Sequence, residues 1–302
     1  MAETKASRVL MSGASGLIGA ALLPSLQAAG YEVTRLVRGA RSGDPQITWD
    51  PTRPLGPEVV SGFDAVIHLS GESIAGRWTE AKKKRIVESR VLATRNLSEA
   101  LARAPQRPRT FICASAVGYY GNRDDEILRE ESALGTGFLP EVCRAWEAAT
   151  QAAFAAGIRV AQIRTGIVLS ARGGALQKML LPFRLGLGGK TGSGRQWMSW
   201  IDIEDMVGAV HHILRNDSLQ GPVNMVSPNP VTNTEFTRIL ASMLSRPAIF
   251  SVPVLAVRLA FGEMGEEILL GSQRVEPAKL VANGYVFQQS DLRQALEGIL
   301  KR

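Results

Sequence analysis

The stretch "CASAVGYYGN", Cys113 to Asn122, holds the residue types that proton transfer at a carbonyl or hydroxyl needs. The hydroxyl of Ser115 can orient a reacting oxygen, and the phenols of Tyr119 and Tyr120 can give or take its proton. A free phenol titrates at about 10, so either tyrosine needs help at neutral pH. Upstream, "GASGLIG" sets Gly13, Gly16 and Gly19 between a strand, "RVLMS" (Arg8 to Ser12), and a helix, "LIGAALLPSLQAAG", closed by Gly30. The first glycine permits a tight turn, the second lets backbone approach a pyrophosphate at the helix N-terminus, and the third lets helix and strand pack closely. Ser15, Leu17 and Ile18 complete this dinucleotide-binding turn. The next strand, "EVTRLVR", is followed by no acid before Asp44; Arg38, with Arg35, therefore favours NADP (NADPH), because arginine there accommodates a 2′-phosphate.

These groups need a scaffold, and the first half supplies one by alternating short apolar runs with helical-period segments. "DAVIHLS" leads into a long helix beginning near Thr79, "RTFICAS" leads into the tyrosine loop, and a helix around "LPEVCRAWEAATQAAFAAG" feeds the strand "RVAQIRTGIVL". The expected fold is α/β, a Rossmann-type doubly wound parallel sheet with a smaller, mostly helical C-terminal cap. The division falls at 1–170 and 171–302, with some later strands returning to the first part. "TNTEF" reads as a capping box, Thr232 as N-cap and Glu235 at N3, opening a helix to about Leu244. Asp202 and Asp205 read as groups that cap or anchor the helix after them. In the glycine-rich loop beyond Ser170, Arg184, Lys190 and Arg195 can bind an anion or simply form a solvated basic surface.

The charge of +7 and pI near 9.7 invite a nucleic-acid reading. No helix-turn-helix, zinc or stacking-aromatic pattern accompanies the charge, and Lys82, Lys83 and Lys84 read as the solvated face of an amphipathic helix, so no nucleic-acid partner is expected. Cys113 and Cys143 lack metal-ligand spacing, His68 lies in a buried run, and His211 and His212 point different ways on a helix, so no metal site is expected. The N-terminal apolar run is too short for a secretion signal, and "VPVLAVRLAFG" is interrupted by Arg258 and too short to span a bilayer. The expectation is a cytoplasmic protein without a membrane partner.

The GxxGxxG turn, "VIHLSGE" and "SAVGYYG" together resemble the extended short-chain dehydrogenase/reductase superfamily. "GESIAGRWTEAKKKRIVESRVLATRNL", "LPFRLGLGGKTGSGRQWMSWIDIEDM" and "GSQRVEPAKLVANGYVFQQSDLRQAL" are similar, more narrowly, to its epimerase family, member 39U type, whose activity is largely unassigned. The resemblance implies that Leu69 and Ser70 lie along the adenine and ribose side of the cofactor and that Arg90 reaches it from the long helix. It further implies that Arg164 and, after Thr165, Val168 belong to the cofactor site, Val168 beside the nicotinamide end, and that Ser115 hydrogen-bonds the substrate. Superfamily enzymes pair the catalytic tyrosine with a lysine four residues later, yet none of the four tyrosines here has one. Cys143 and Glu147 stand at the implied positions. Three readings follow: Tyr119 or Tyr120 acts with Arg123 or Arg144 supplying positive charge, Cys143 is the proton donor, or cofactor binds without turnover. Met198 stands where nucleotide-sugar epimerases of the superfamily place a diphosphate-binding arginine.

The sequence thus points to an NADP-dependent, epimerase-like oxidoreductase acting by hydride transfer on a small polar or sugar-like molecule, a nucleotide sugar included. The alternative is a non-catalytic protein that senses NADPH. A homodimer is compatible with either.

Overall fold

In a computed structural model, residues 7–39 and 45–301 are described; Asp44 and the residues before Ser7 lie outside them. Seven strands form one parallel sheet: β1 (Arg8–Ser12), β2 (Glu32–Val37), β3 (Gln46–Thr48), β4 (Ala65–His68), β5 (Thr110–Ala116), β6 (Arg159–Thr165) and β7 (Gly221–Met225). Their spatial order is β7-β6-β5-β4-β1-β2-β3. The order reverses between β1 and β4, where Ser12 pairs with His68. Ligands of such sheets bind outside the carboxyl ends of the strands at this switch point.

Alternation along the strands sends successive side chains to opposite faces, and both faces are covered. Val9, Met11, Ile67 and Ile163 pack against α1 (Leu17–Ala28) and α7 (Ile203–Arg215). Leu10, Val66, Phe111 and Val160 pack on the other side with Leu97 and Leu101 of α3 (Ala93–Arg103). Position β7, beyond residue 170, closes the β6 edge of the sheet and so belongs to the first half's architecture.

The long helix is interrupted. Thr79 caps α2 (Glu80–Val87) by accepting from the Lys82 amide, and a π-helical turn, Glu88–Leu92, separates α2 from α3. Lys82, Lys83 and Lys84 do not form a solvated face: Lys82 meets Glu72 at 2.7 Å, Lys83 meets Glu263 at 2.5 Å, and only Lys84 stands in water. The following helix also divides, into α4 (Phe138–Ala148) and α5 (Gln151–Ala155).

The cap contains α6 (Gly174–Arg184), α8 (Asn233–Met243), α9 (Val254–Phe261), α10 (Ala278–Ala282) and α11 (Leu292–Leu300). Leu176, Leu180, Trp200, Phe236, Leu240 and Leu296 form its core. The N-cap half of the expected capping box is present, with Thr232 Oγ1 accepting from the Glu235 amide at 3.2 Å. Asp202 caps α7. Asp205, instead of anchoring that helix, accepts from the Gln288 and Gln289 amides and holds the C-terminal segment. Two short parallel pairings tie the cap together and to the sheet: Gly189–Thr191 with Phe250–Val252, and Ile127–Leu128 with Arg274–Val275. Among the described residues no helix is long and apolar enough to cross a membrane.

Candidate active site

Gly13 takes φ +76°, and a Cβ there would stand 2.6 Å from the backbone carbon of Leu69. At Gly19 a Cβ would stand 2.2 Å from the Gly13 carbonyl oxygen. Gly13 and Gly19 are therefore steric requirements: they bring β1, β4 and α1 closer than any side chain allows, whereas a Cβ at Gly16 would stand 3.4 Å from the Gly13 carbonyl oxygen, in ordinary contact. Gly16 is the N-cap of α1, which has neither a capping side chain nor an acid in its first turn. Such an end favours an anion, because backbone N–H groups and the helix dipole both point at it.

A cleft of about 510 Å³ opens beside this turn. Gly13, Ser15 and Gly16 form one side, Leu69 and Ser70 another, and Arg35 and Arg38 stand along the third, at the end of β2. Between β2 and β3 no described residue is a carboxylate; Glu72, across the cleft near Arg38, is held below the usual carboxylate range, chiefly by its hydrogen bond from Lys82. The residues present fit a dinucleotide with a phosphorylated ribose: an uncapped helix end for the pyrophosphate and two guanidinium groups at the ribose. Arg90 lies in the π turn, outside the lining, with its guanidinium 5.1 Å from the Trp146 ring centre and pressed against Gly71, which does line the cleft. Burial lowers its pKa. π-Turns recur at functional sites because the extra residue re-aims a side chain. Leu17, Ile18 and Val168 pack into the core beneath the turn, on the α1 side of the sheet.

At the carboxyl ends of β5 and β6 lies a buried polar network. Glu147, on α4, receives Arg164 of β6 in a two-pronged pair, Nε to Oε1 at 2.8 Å and Nη2 to Oε2 at 2.9 Å. Ser115 donates to the same Oε1 at 2.7 Å. Arg164 Nη1 donates to the Tyr120 hydroxyl and to the Glu130 carbonyl, each at 3.0 Å, and Tyr120 donates onward to Asn224 Oδ1 at 2.7 Å. Burial opposes charge on Arg164, but the hydrogen-bonded Glu147 carboxylate outweighs it and raises the pKa. The guanidinium also lies 3.5 Å from the ring centre of Tyr119.

This geometry separates the candidate proton donors. Tyr120 is fully buried, its hydroxyl is committed on both sides, and desolvation pushes its pKa up to about 12. Cys143 is buried under Gly118, and desolvation first, with the Glu147 charge second, pushes its thiol up to about 12. Both therefore hold their protons at neutral pH and are poor candidates for exchange. Tyr119 is only partly buried. Neither arginine expected from sequence supports these tyrosines: Arg123 is bound to Glu126, and Arg144 to Glu141. The positive charge comes from Arg164, whose guanidinium belongs to the network rather than to the cleft lining. Glu130 and Asn224 completed the network without any motif to announce them.

The histidines are structural. His68 Nδ1 meets Ser12 Oγ at 2.6 Å, and burial lowers its pKa to about 4. His211 meets Ser25 and His212 meets the Asn283 carbonyl. Among the described residues no cluster of His, Cys, Asp and Glu is suited to a metal. Both cysteines are free.

A glycine turn at the switch point and a serine-tyrosine loop two strands away define the extended short-chain class, and comparison places the chain within it. Residues 9–226 match the NAD dependent epimerase/dehydratase family, to which the chain belongs, and residues 252–299 match a domain of unknown function, DUF1731. The narrower relatives agree with the 39U resemblance. Epimerase family protein Mb2239 of Mycobacterium bovis is 44% identical over 95% of this chain and 96% of its own. Epimerase family protein SDR39U1 of Homo sapiens is 37% identical over 97% of this chain and 99% of its own. A crystal structure of human SDR39U1 (isoform2) with NADPH superimposes with TM-score 0.89 at 35% identity, covering 98% of this chain and 99% of that one.

Proposed function

We propose that the chain is an NADP-dependent, epimerase-like oxidoreductase that acts on a small polar or sugar-like molecule, a nucleotide sugar included. The observation that carries this reading is the placement of Ser115 and Tyr119 on two sides of one buried ion pair, Glu147–Arg164. The human relative crystallised with NADPH supports the choice of cofactor, as do Arg35 and Arg38 at the cleft. When bound, the nicotinamide supplies the hydride chemistry. Gly13, Ser15 and Gly16, with the amides of Leu17 and Ile18, receive the pyrophosphate; Arg38 and Arg35 hold the ribose phosphate; Leu69, Ser70 and Arg90 border the adenosine half. Val168 flanks the nicotinamide half. Ser115 orients the reacting oxygen, kept in register by Glu147. Tyr119 exchanges the proton, with the Arg164 cation under the ring on which negative charge develops.

A second reading is favoured by Glu147 itself. A carboxylate already holding an arginine and a serine replaces the lysine of the superfamily, and a protein that only reports NADPH needs no proton route. Calorimetry with NADPH, followed by a screen of nucleotide sugars and small aldoses for cofactor reduction or sugar interconversion, separates the two. Turnover that Tyr119→Phe abolishes while NADPH still binds is expected of the enzyme. Tight NADPH binding without turnover of any screened compound favours the sensor, and failure to bind NADPH overturns both.

A further inference from the structure

The cap carries a surface unrelated to the cofactor cleft. Residues 175–195 and 245–261 include six Lys or Arg and no Asp or Glu. The two segments are neighbours: Gly189–Thr191 pairs with Phe250–Val252, and Arg246 Nε donates to the Arg184 carbonyl at 2.9 Å. Large aliphatic side chains stand out from both, with exposure running from 61% at Leu187 to 82% at Ile249 and including Leu181, Leu185, Leu255 and Leu259. On α9, Leu255 and Leu259 are four residues apart and share a face. Large aliphatic side chains exposed on two neighbouring segments are the kind of surface that marks an interaction site.

We propose that this face of the cap docks peripherally on an anionic lipid surface, its aliphatic side chains entering the acyl boundary and its cations meeting the headgroups. Charge decides the occupant. A second copy would set cation against cation across a two-fold axis, since the face is not self-complementary. A protein partner is ordinarily held by buried Tyr or Trp anchors and paired polar groups, and these two segments contain neither Tyr nor Trp. Exposed Leu, Ile and Val among lysines and arginines are what an interfacial contact with anionic lipid requires. Of the cations, Arg258 is matched by Glu266 at 2.6 Å and contributes least. The contact is made on the surface and does not span, so it adds a partner that the absence of a long apolar run had led the sequence to exclude.

The test is co-sedimentation of the full chain with vesicles of phosphatidylcholine alone and of phosphatidylcholine mixed with phosphatidylglycerol. The proposal expects binding at least about tenfold stronger to the mixed vesicles and weakened by salt, as screening dictates. Arg184→Glu with Arg246→Glu should remove that preference, and Leu255→Ser with Leu259→Ser should release the protein even at low salt. Calorimetric NADPH binding, unchanged in both double variants, shows that they remain folded. Absence of binding to either vesicle, or binding indifferent to both double variants, overturns the proposal. So does a concentration-dependent dimer in light scattering that the leucine variant dissociates.

Discussion

The two ends of the site differ in how closely they keep to the pattern of their class. At the end proposed for the cofactor the backbone sets the geometry: Gly13 and Gly19 admit no substitute because Cβ atoms would collide with main chain at Leu69 and Gly13, and the start of α1 is uncapped, which favours an anion. At the end proposed for the reaction the candidate groups are side chains, and none of the four tyrosines has a lysine four residues on. Glu147 stands where the resemblance implies a lysine, and its partner cation, Arg164, is carried by β6. The backbone-built half tolerates little change, whereas the side-chain half can be rewired as long as its charges remain paired.

If that contrast is right, the largest effect should come from unpairing the reaction end. Glu147→Lys, which restores the residue type of the superfamily, sets two buried cations together and should cost about 3–5 kcal/mol in urea denaturation, as breaking a buried pair does. An unchanged midpoint would mean that the pair contributes little and that the site is more open than its burial suggests. A similar magnitude should appear with pH at the switch point. His68 is held neutral by burial with a folded pKa of about 4, below its usual value near 6.5, so the unfolded chain binds the extra proton first. Its contribution is fully present above about 6.5 and disappears as pH falls toward 4, a loss on the order of 3 kcal/mol. His68→Asn should flatten that limb of a thermal-melt series, whereas a slope that persists would assign it to other groups.

The adenosine end should respond in binding before stability. Gly13→Ala should weaken NADPH by about 100-fold in calorimetry, because a Cβ at positive φ must displace the backbone of Leu69. Arg38→Ala should weaken NADPH about tenfold and leave NADH nearly unchanged, since only the former carries the phosphate. Equal losses for both nucleotides would move the phosphate contact away from Arg38. The smallest change in stability is expected of Tyr120→Phe, about 1–2 kcal/mol in urea denaturation, from Asn224 and Arg164 each losing a buried partner.

The contrast also explains what could be read in advance. β1, the glycine turn and the Thr232 capping box each write their geometry into a few consecutive residues, so the parallel sheet and the cofactor turn were legible. The Glu147–Arg164 pair joins a helix to a strand, and its partners Glu130 and Asn224 come from still more distant segments. No local pattern marks such a meeting, which is why Arg123 and Arg144, close to the tyrosines in sequence, stood out and Arg164 did not. The same reasoning applies to the lysines of α2. Their charge and spacing suggested solvent, but their partners, Glu72 and Glu263, are brought up by tertiary folding.

The π turn at Glu88–Leu92 amounts to one residue inserted into a helix that would otherwise run unbroken from Glu80 to Arg103. Each α-helical residue advances the chain by about 100° around the axis. Deleting a single residue there would leave α3 seated on the sheet and swing α2 by that angle, withdrawing Lys82 from Glu72, Lys83 from Glu263 and Arg90 from Trp146 together. The alignment of cofactor wall and cap thus hangs on the count of residues in one turn, so a change in length at this point should be far less tolerable than most changes of residue type.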